Sequence, residues 1–175
     1  MLAIACVSTG CGEPEGETAT KTSEVVTPAP STSVNPDAEL WDPCHLPDSA
    51  ISATGLDPKT EVPDVAGVDF DGWQVCTWQS NAEWYSLGVL SGTPTLQAVR
   101  ARDDFVGITD YSIGTRAGVQ FLDAGDDKGL NCSIAVEIPQ GTVMFYLTTR
   151  YSIGKQGDPC TEVRQHADAL GPYLP

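Results

Sequence analysis

Two copies of the tripeptide Asp-Pro-Cys bracket the part of this chain that is able to fold. The first copy ends at Cys44 and the second at Cys160, and Cys76 and Cys132 lie between them. No two of these cysteines have the close Cys-x-x-Cys spacing that zinc sites and thioredoxin-like redox sites use. All four are therefore expected to form disulfides, and the sequence predicts no metal site.

The charge balance excludes one large class of function. The 175 residues carry a formal net charge of -15, from 9 Lys and Arg against 24 Asp and Glu, and no basic cluster occurs. Binding to nucleic acid needs a basic face that displaces counterions from phosphates. The sequence therefore predicts no nucleic-acid partner.

The chain also lacks the common signatures of catalysis. Its only two histidines, His45 and His166, are far apart in sequence, and no Gly-x-Ser-x-Gly motif occurs. Acidic stretches around Asp64 and Asp123 do not match the Asp-x-Asp-x-Asp-Gly calcium loop and are better explained as turns. No catalytic residue, cofactor or metal ligand is predicted, and the protein is expected not to be an enzyme.

The N-terminal region has the pattern of a lipoprotein signal followed by a tether. Residues 1–11 are a short apolar run with small residues before a cysteine, and we interpret them as a signal remnant whose start lies upstream. Cys11 is the preferred lipidation site over Cys6, because Gly10 precedes it and a polar tail follows; a plain secretory signal is the alternative. Residues 12–40 are rich in Pro, Thr and Glu and are predicted to be a disordered tether. The protein is therefore expected on the outer face of the cell membrane, held by its lipid.

Residues 41–175 are predicted to form one α+β domain. Proline at the first helical position indicates helices near Pro47, from Pro94 to about Asp104, and from Pro159, where Asp158 can cap the helix. Alternating apolar residues predict strands over 73–78, 83–90, 116–123, 130–138 and 143–149. Hairpin-linked strands predict a single antiparallel sheet of about five strands, with two or three helices packed on one face and disulfides as staples.

The predicted elements favour one disulfide pairing. Cys44–Cys76 with Cys132–Cys160 would tie the start of a helix to a strand in each case. The rival pairing joins Cys44 to Cys160 and Cys76 to Cys132. Loop-closure entropy gives each bond about 3 kcal/mol and does not separate the two pairings.

The spacing of these cysteines, with Trp78 two residues after Cys76 and a final Leu174-Pro175, resembles a family of actinobacterial envelope lipoproteins, domain of unknown function 3558. The resemblance covers Trp41 to Pro175. It implies an extracytoplasmic location and the fold, but no activity. The N-terminal signal departs from the family pattern because it is truncated.

Aromatic residues give the one hint of a binding function. Trp73, Trp78 and Trp84 lie in the first predicted hairpin and are candidate binding residues, although aromatic residues in a sheet usually belong to its core. The hypothesis is non-enzymatic binding of a partner protein or a small amphiphile, where this hairpin meets a helix. The alternative is an envelope hydrolase that uses a pair of carboxylates outside any known motif.

Overall fold

Seven antiparallel strands form one sheet in the order β1-β2-β3-β7-β6-β5-β4. The structure, a computed structural model, describes residues 40–68 and 70–175. The strands are β1 (Leu56–Val62), β2 (Trp73–Ser80), β3 (Tyr85–Gly92), β4 (Phe105–Ile113), β5 (Arg116–Asp123), β6 (Asn131–Ile138) and β7 (Gly141–Thr149), and the helices are α1 (Asp48–Ala53), α2 (Leu96–Arg100) and α3 (Pro159–Leu170).

The predicted signal remnant over 1–11 and the tether over 12–40 fall almost entirely outside the described residues, and so do Cys6 and Cys11. Within the described residues, no helix is long and apolar enough to cross a membrane.

The central hairpin of β6 and β7 follows the predicted alternation. Cys132, Ile134 and Val136 all point to one face and are completely buried. The turn over 139–140 leads into Gly141, whose φ of 144° brings its backbone against the carbonyl of Gly92. A side chain at Gly141 would collide with that neighbouring backbone, so glycine is required for this approach.

Helix α3 begins as predicted. The Asp158 carboxylate accepts hydrogen bonds from the backbone N–H groups of Cys160 (2.7 Å) and Thr161 (3.0 Å), and Pro159 is the first helical residue. The buried side of α3 packs onto β6 and β7. That side consists of Val163, His166, Ala167 and Leu170.

The two faces of the sheet are covered differently. The face under α1 and α3, which we call the helix face, holds the larger apolar cluster, including Trp78, Trp84, Phe145 and Leu147. On the opposite face, which we call the groove face, the short helix α2 covers part of β5 and β6. Its cluster consists of Leu96, Val99, Val119, Phe121 and Ala135, with Phe105, Ile108 and Met144 against it.

Three features differ from the sequence-based fold. The sheet has seven strands instead of about five, because the edge strands β1 and β4 were not predicted. An edge strand has one neighbour and is largely exposed. Strand β1 is polar, and Pro58 is tolerated in it only because β1 is an edge. Strand β4 begins with Phe105 and Val106, which also fit the apolar face of the longer predicted helix. Helix α2 ends at Arg100 instead of Asp104, since Phe105 starts β4, and it packs on the face opposite to α1 and α3.

Both disulfides form with the preferred pairing. Cys44–Cys76 joins a 3-10 turn (Pro43–His45) to β2 with a Cα–Cα distance of 5.2 Å. Cys132–Cys160 joins β6 to the first turn of α3 with a Cα–Cα distance of 5.1 Å. The prediction that each bond ties a helix start to a strand is therefore confirmed.

Candidate functional site

The groove face carries a groove of about 500 Å³ across the middle of the sheet. Its floor comes from two adjacent rows of side chains on β3, β7, β6 and β5: the strand register pairs Leu90 with Met144, and it aligns Tyr146, Ser133 and Phe121. The floor residues are Leu90, Met144, Tyr146, Ser133 and Phe121. The floor is apolar except for one serine and one phenol, so the groove suits an apolar ligand.

One wall is the loop between β1 and β2. Val65 and Val68 exchange backbone hydrogen bonds of 3.3 and 3.1 Å, which fold the loop onto itself. The loop packs onto the sheet at Gly88, where a Cβ atom would lie in contact with Val65, at 3.4 Å. Val68 and Phe70 line the groove yet are 53% and 41% exposed, so they form its rim.

Trp73 on β2 forms the end of this wall. Its indole ring packs against the backbone of Gly92 on β3, in the space that a side chain at Gly92 would occupy. Trp73 is half-buried and borders both the main groove and a smaller cavity of about 240 Å³ beside α2. Of the three tryptophans predicted as binding residues, it is the one that the structure places at the groove.

The opposite wall is the segment from α2 to β4. Phe105 stacks on Phe121 with ring centroids 4.1 Å apart, and the guanidinium of Arg102 lies 4.5 Å from the Phe105 ring centroid. Arg102 also donates two hydrogen bonds to the carboxylate of Asp104, one from Nε at 2.8 Å and one from Nη2. Arg102 is thus fixed by a bidentate ion pair and an aromatic ring.

One end of the groove is polar. Asp123 Oδ2 accepts hydrogen bonds from Asn131 Nδ2 at 3.3 Å and from the Tyr146 hydroxyl at 3.4 Å, both long. Burial raises the pKa of Asp123, and the nearby Asp126 carboxylate raises it further. Burial, together with Asp123, also raises the pKa of Tyr146 to about 12. Tyr146 is therefore a neutral donor at physiological pH.

Trp78 and Trp84 lie on the other side of the sheet. Trp78 is fully buried and donates a hydrogen bond from Nε1 to Glu61 at 3.3 Å. Trp84 is 5% exposed, and its ring lies edge-on to Tyr85 at 4.7 Å. The place where the first hairpin meets a helix is thus packed core beneath α3, and these two tryptophans do not join Trp73 at the groove.

The sequence analysis missed most of the groove residues. The alternation of side chains on β7 is the signal that could have identified them. Val143, Phe145 and Leu147 lie on the helix face. The residues between them, Met144 and Tyr146, therefore lie on the groove face. Strands with apolar residues on both faces need cover on both faces.

In the part of the chain that the structure describes, the two histidines and the one group of potential metal ligands lie outside the groove lining. Within residues 40–68 and 70–175, the one group of potential metal ligands is Cys44, Glu61 and Cys76, but its two sulfur atoms are bonded to each other in the disulfide. His166 lies on the buried side of α3 with Nε2 2.8 Å from the Tyr85 hydroxyl oxygen, and burial lowers its pKa to about 4. His45 is exposed, 3.8 Å from Asp42, and neither histidine lines the groove.

Comparison with known proteins places the chain in a family. No curated protein and no solved structure matches the chain. One family model matches residues 2–173, which is nearly the whole chain, and this family is described as a protein of unknown function. The match confirms the resemblance carried by the Asp-Pro-Cys and Cys-x-Trp elements. The chain therefore belongs to the DUF3558 family.

Proposed function

We propose that this protein is an exported, lipid-anchored cell-envelope protein that binds a small amphiphile in the groove without transforming it. The observation that carries the proposal is the groove itself. Its volume of about 500 Å³ is in the range of small-molecule sites, and its lining is apolar with polar groups gathered at one end. An apolar tail with a polar head matches that division.

The groove fits a small amphiphile better than a partner protein. Its floor is recessed between the loop that carries Val68 and the wall that carries Phe105, so a flat protein surface would leave the floor unfilled. A partner protein would need an apolar side chain that projects between the walls. The binding experiment below distinguishes a protein partner of this kind from a small amphiphile.

Removing a rim aromatic side chain is expected to weaken binding without unfolding the protein. Phe70→Ala should reduce the affinity for dodecyl maltoside about tenfold, because an exposed phenyl ring that closes over a tail contributes about 1.5 kcal/mol. Isothermal titration calorimetry below the micelle concentration measures the change. Tyr151→Ala is the matched control, since Tyr151 is 88% exposed and does not line the groove.

The proposal would fail if the wild-type protein did not bind dodecyl maltoside, or if Phe70→Ala and Tyr151→Ala weakened binding equally. If dodecyl maltoside did not bind but a purified envelope protein did, with Phe70→Ala abolishing that complex, the ligand would be a protein instead.

The lipid anchor is supported by the sequence around Cys11 and by the two disulfides, which suit an oxidising compartment outside the cytoplasm. With a complete upstream signal supplied, Cys11→Ser should move the protein from the membrane fraction to the soluble fraction, because the acyl chains no longer bury in the bilayer. Fractionation followed by immunoblotting measures this. Cys6→Ser is the control and should leave the protein in the membrane fraction; the reverse result would assign the lipid to Cys6.

A hydrolase is the second candidate, and one observation favours it. Asp104 and Asp123 both line the groove, and their pKa values move in opposite directions: the hydrogen bonds from Arg102 lower that of Asp104, and burial raises that of Asp123. Catalytic acid–base pairs show this divergence. However, both oxygens of Asp104 are occupied by Arg102, which leaves it poorly placed to act on a substrate. Hydrolysis of nitrophenyl esters or glycosides, lost in Asp123→Asn, would support the hydrolase.

A further inference from the structure

The polar end of the groove has one carboxylate that lacks a cationic partner. Asp123 lines the groove, and its Oδ2 is contacted only by the neutral donors of Asn131 and Tyr146. Among the residues that the structure describes, Oδ1 accepts no hydrogen bond, and no Lys, Arg or His nitrogen lies within 4.0 Å of this carboxylate. A half-buried carboxylate with two long hydrogen bonds can still gain stability from a strong donor.

The cation that lines the groove cannot serve as that donor. Arg102 holds the Asp104 carboxylate with two hydrogen bonds and lies over the Phe105 ring. Its charge is therefore already neutralised and its plane already covered. The charge of Asp123 contributes to the raised pKa of Arg102, so the two groups interact at a distance, but no hydrogen bond joins them.

The surroundings of Asp123 disfavour a negative ligand. Asp126 lies in the turn after β5 and is close enough to influence Asp123, and its Oδ2 is fixed by the Asn131 backbone N–H at 2.6 Å. An anionic head group beside Asp123 would be repelled by that carboxylate and by the nearby charges of Asp126 and Asp104. Arg102, the cation in the groove lining, is already paired with Asp104. An anionic head group would also approach a chain with a net charge of -15.

The apolar floor and Asp123 are arranged so that one linear molecule can reach both. Asp123 follows Phe121 on the same face of β5, and from there the floor continues through Tyr146 and Met144 to Leu90 near the middle of the sheet. A tail along this floor would bring a head group beside Asp123 and the Tyr146 ring. An aromatic ring next to a carboxylate is a favourable environment for an ammonium group.

We propose that the groove prefers an amphiphile with a cationic ammonium head, held by Asp123, over neutral or anionic amphiphiles of the same length. This inference rests on the proposed function, because it names the class of molecule that the groove binds. It assigns the apolar tail to the floor residues and the head-group preference to a single side chain.

The test compares three ligands that share a twelve-carbon tail: dodecylammonium, dodecyl maltoside and dodecanoate. Calorimetric titration of the wild-type protein at physiological ionic strength, below the aggregation concentration of each ligand, should give about tenfold tighter binding of dodecylammonium than of dodecyl maltoside, with dodecanoate weakest. This order tests the proposal without any variant. Equal affinities for the three head groups would overturn it.

Asp123→Asn then tests the assigned residue. It should reduce the roughly tenfold preference for dodecylammonium over dodecyl maltoside to about equal affinity. Circular dichroism shows that the variant is folded. Asp127→Asn is the matched control, because it removes one acid from the same turn at a residue outside the groove lining. An equal loss in both variants would mean that overall negative charge attracts the amine, and the proposal would be wrong.

These results separate the two proposals. If none of the three ligands binds, the proposed function fails. If dodecyl maltoside binds and Phe70→Ala weakens it, but the head group makes no difference, only the cationic preference is refuted.

Discussion

Trp84→Ala is expected to lower the free energy of unfolding by about 3–5 kcal/mol, the cost of emptying a large core site. Trp84 is 5% exposed on the helix face and packs edge-on against Tyr85. The backbone of Gly157 packs directly against the ring, since a Cβ atom there would lie 2.9 Å from it, so removal of the ring also removes this contact. Urea denaturation followed by circular dichroism measures the change.

This variant also tests whether Trp84 is a core residue or a binding residue. If Trp84 were part of a binding site, as the sequence suggested, its loss would weaken ligand binding and leave the fold intact. The structure leads us to expect the opposite: a less stable protein whose native fraction binds dodecyl maltoside normally. Trp73→Ala is the comparison, since Trp73 is half-buried at the groove and should affect binding more than stability. Unchanged stability in Trp84→Ala would contradict the packing described here.

The second large effect is expected from removal of the disulfide that holds α3. Replacing both Cys132 and Cys160 by alanine should lower the free energy of unfolding by about 3–4 kcal/mol, because a bond that closes a 28-residue loop restricts the unfolded chain. Thermal and urea unfolding under non-reducing conditions measure the loss. Reduction of the wild-type protein would remove both disulfides at once and is a less specific test.

The double alanine variant of Cys44 and Cys76 is the matched control. Its loop spans 32 residues, so chain entropy predicts almost the same loss. A larger loss for the Cys132–Cys160 variant would show that the bond also supports the docking of α3, whose Val163, Ala167 and Leu170 are buried. Full stability after loss of Cys132 and Cys160 would contradict the prediction.

The sequence predicts the centre of this fold better than its edges. Strand β5 and the β6–β7 hairpin are central, so their side chains alternate between two covered faces and the pattern is readable. The start of helix α3 is predictable because Asp158 is a favourable N-cap residue and Pro159 a favourable first helical residue. Strands β1 and β4 are edges with few buried residues. Strand β1 is polar and contains Pro58, and in β4 a register irregularity after Val106 interrupts the alternation of apolar residues.

Helix α2 shows a different limit. Leu96, Val99 and Phe105 have a spacing that a longer helix would also satisfy, and only the stacking of Phe105 on Phe121 shows that the third residue belongs to a strand. Local periodicity identifies residues that share a face. It does not tell which face of the sheet that segment will cover.

The groove could not be predicted from the sequence, because local periodicity does not show which segments meet on one face of the sheet. Its residues come from six strands and two connecting segments, and no short stretch of sequence contains more than a few of them. Asp123 was considered only within an acidic turn, whereas its significance comes from the apolar floor beside it. Trp73 was singled out together with Trp78, although the two residues lie on opposite faces of the sheet.

The position of the Cys44–Cys76 bond has a mechanical consequence. A pulling force applied at the N-terminal end of the described domain reaches Cys44 within a few residues and passes through the covalent bond directly to β2. The chain between these cysteines, which includes α1, β1 and the groove wall with Val65 and Val68, lies outside that load path. Tension along the chain would therefore bypass the loop that forms one wall of the groove.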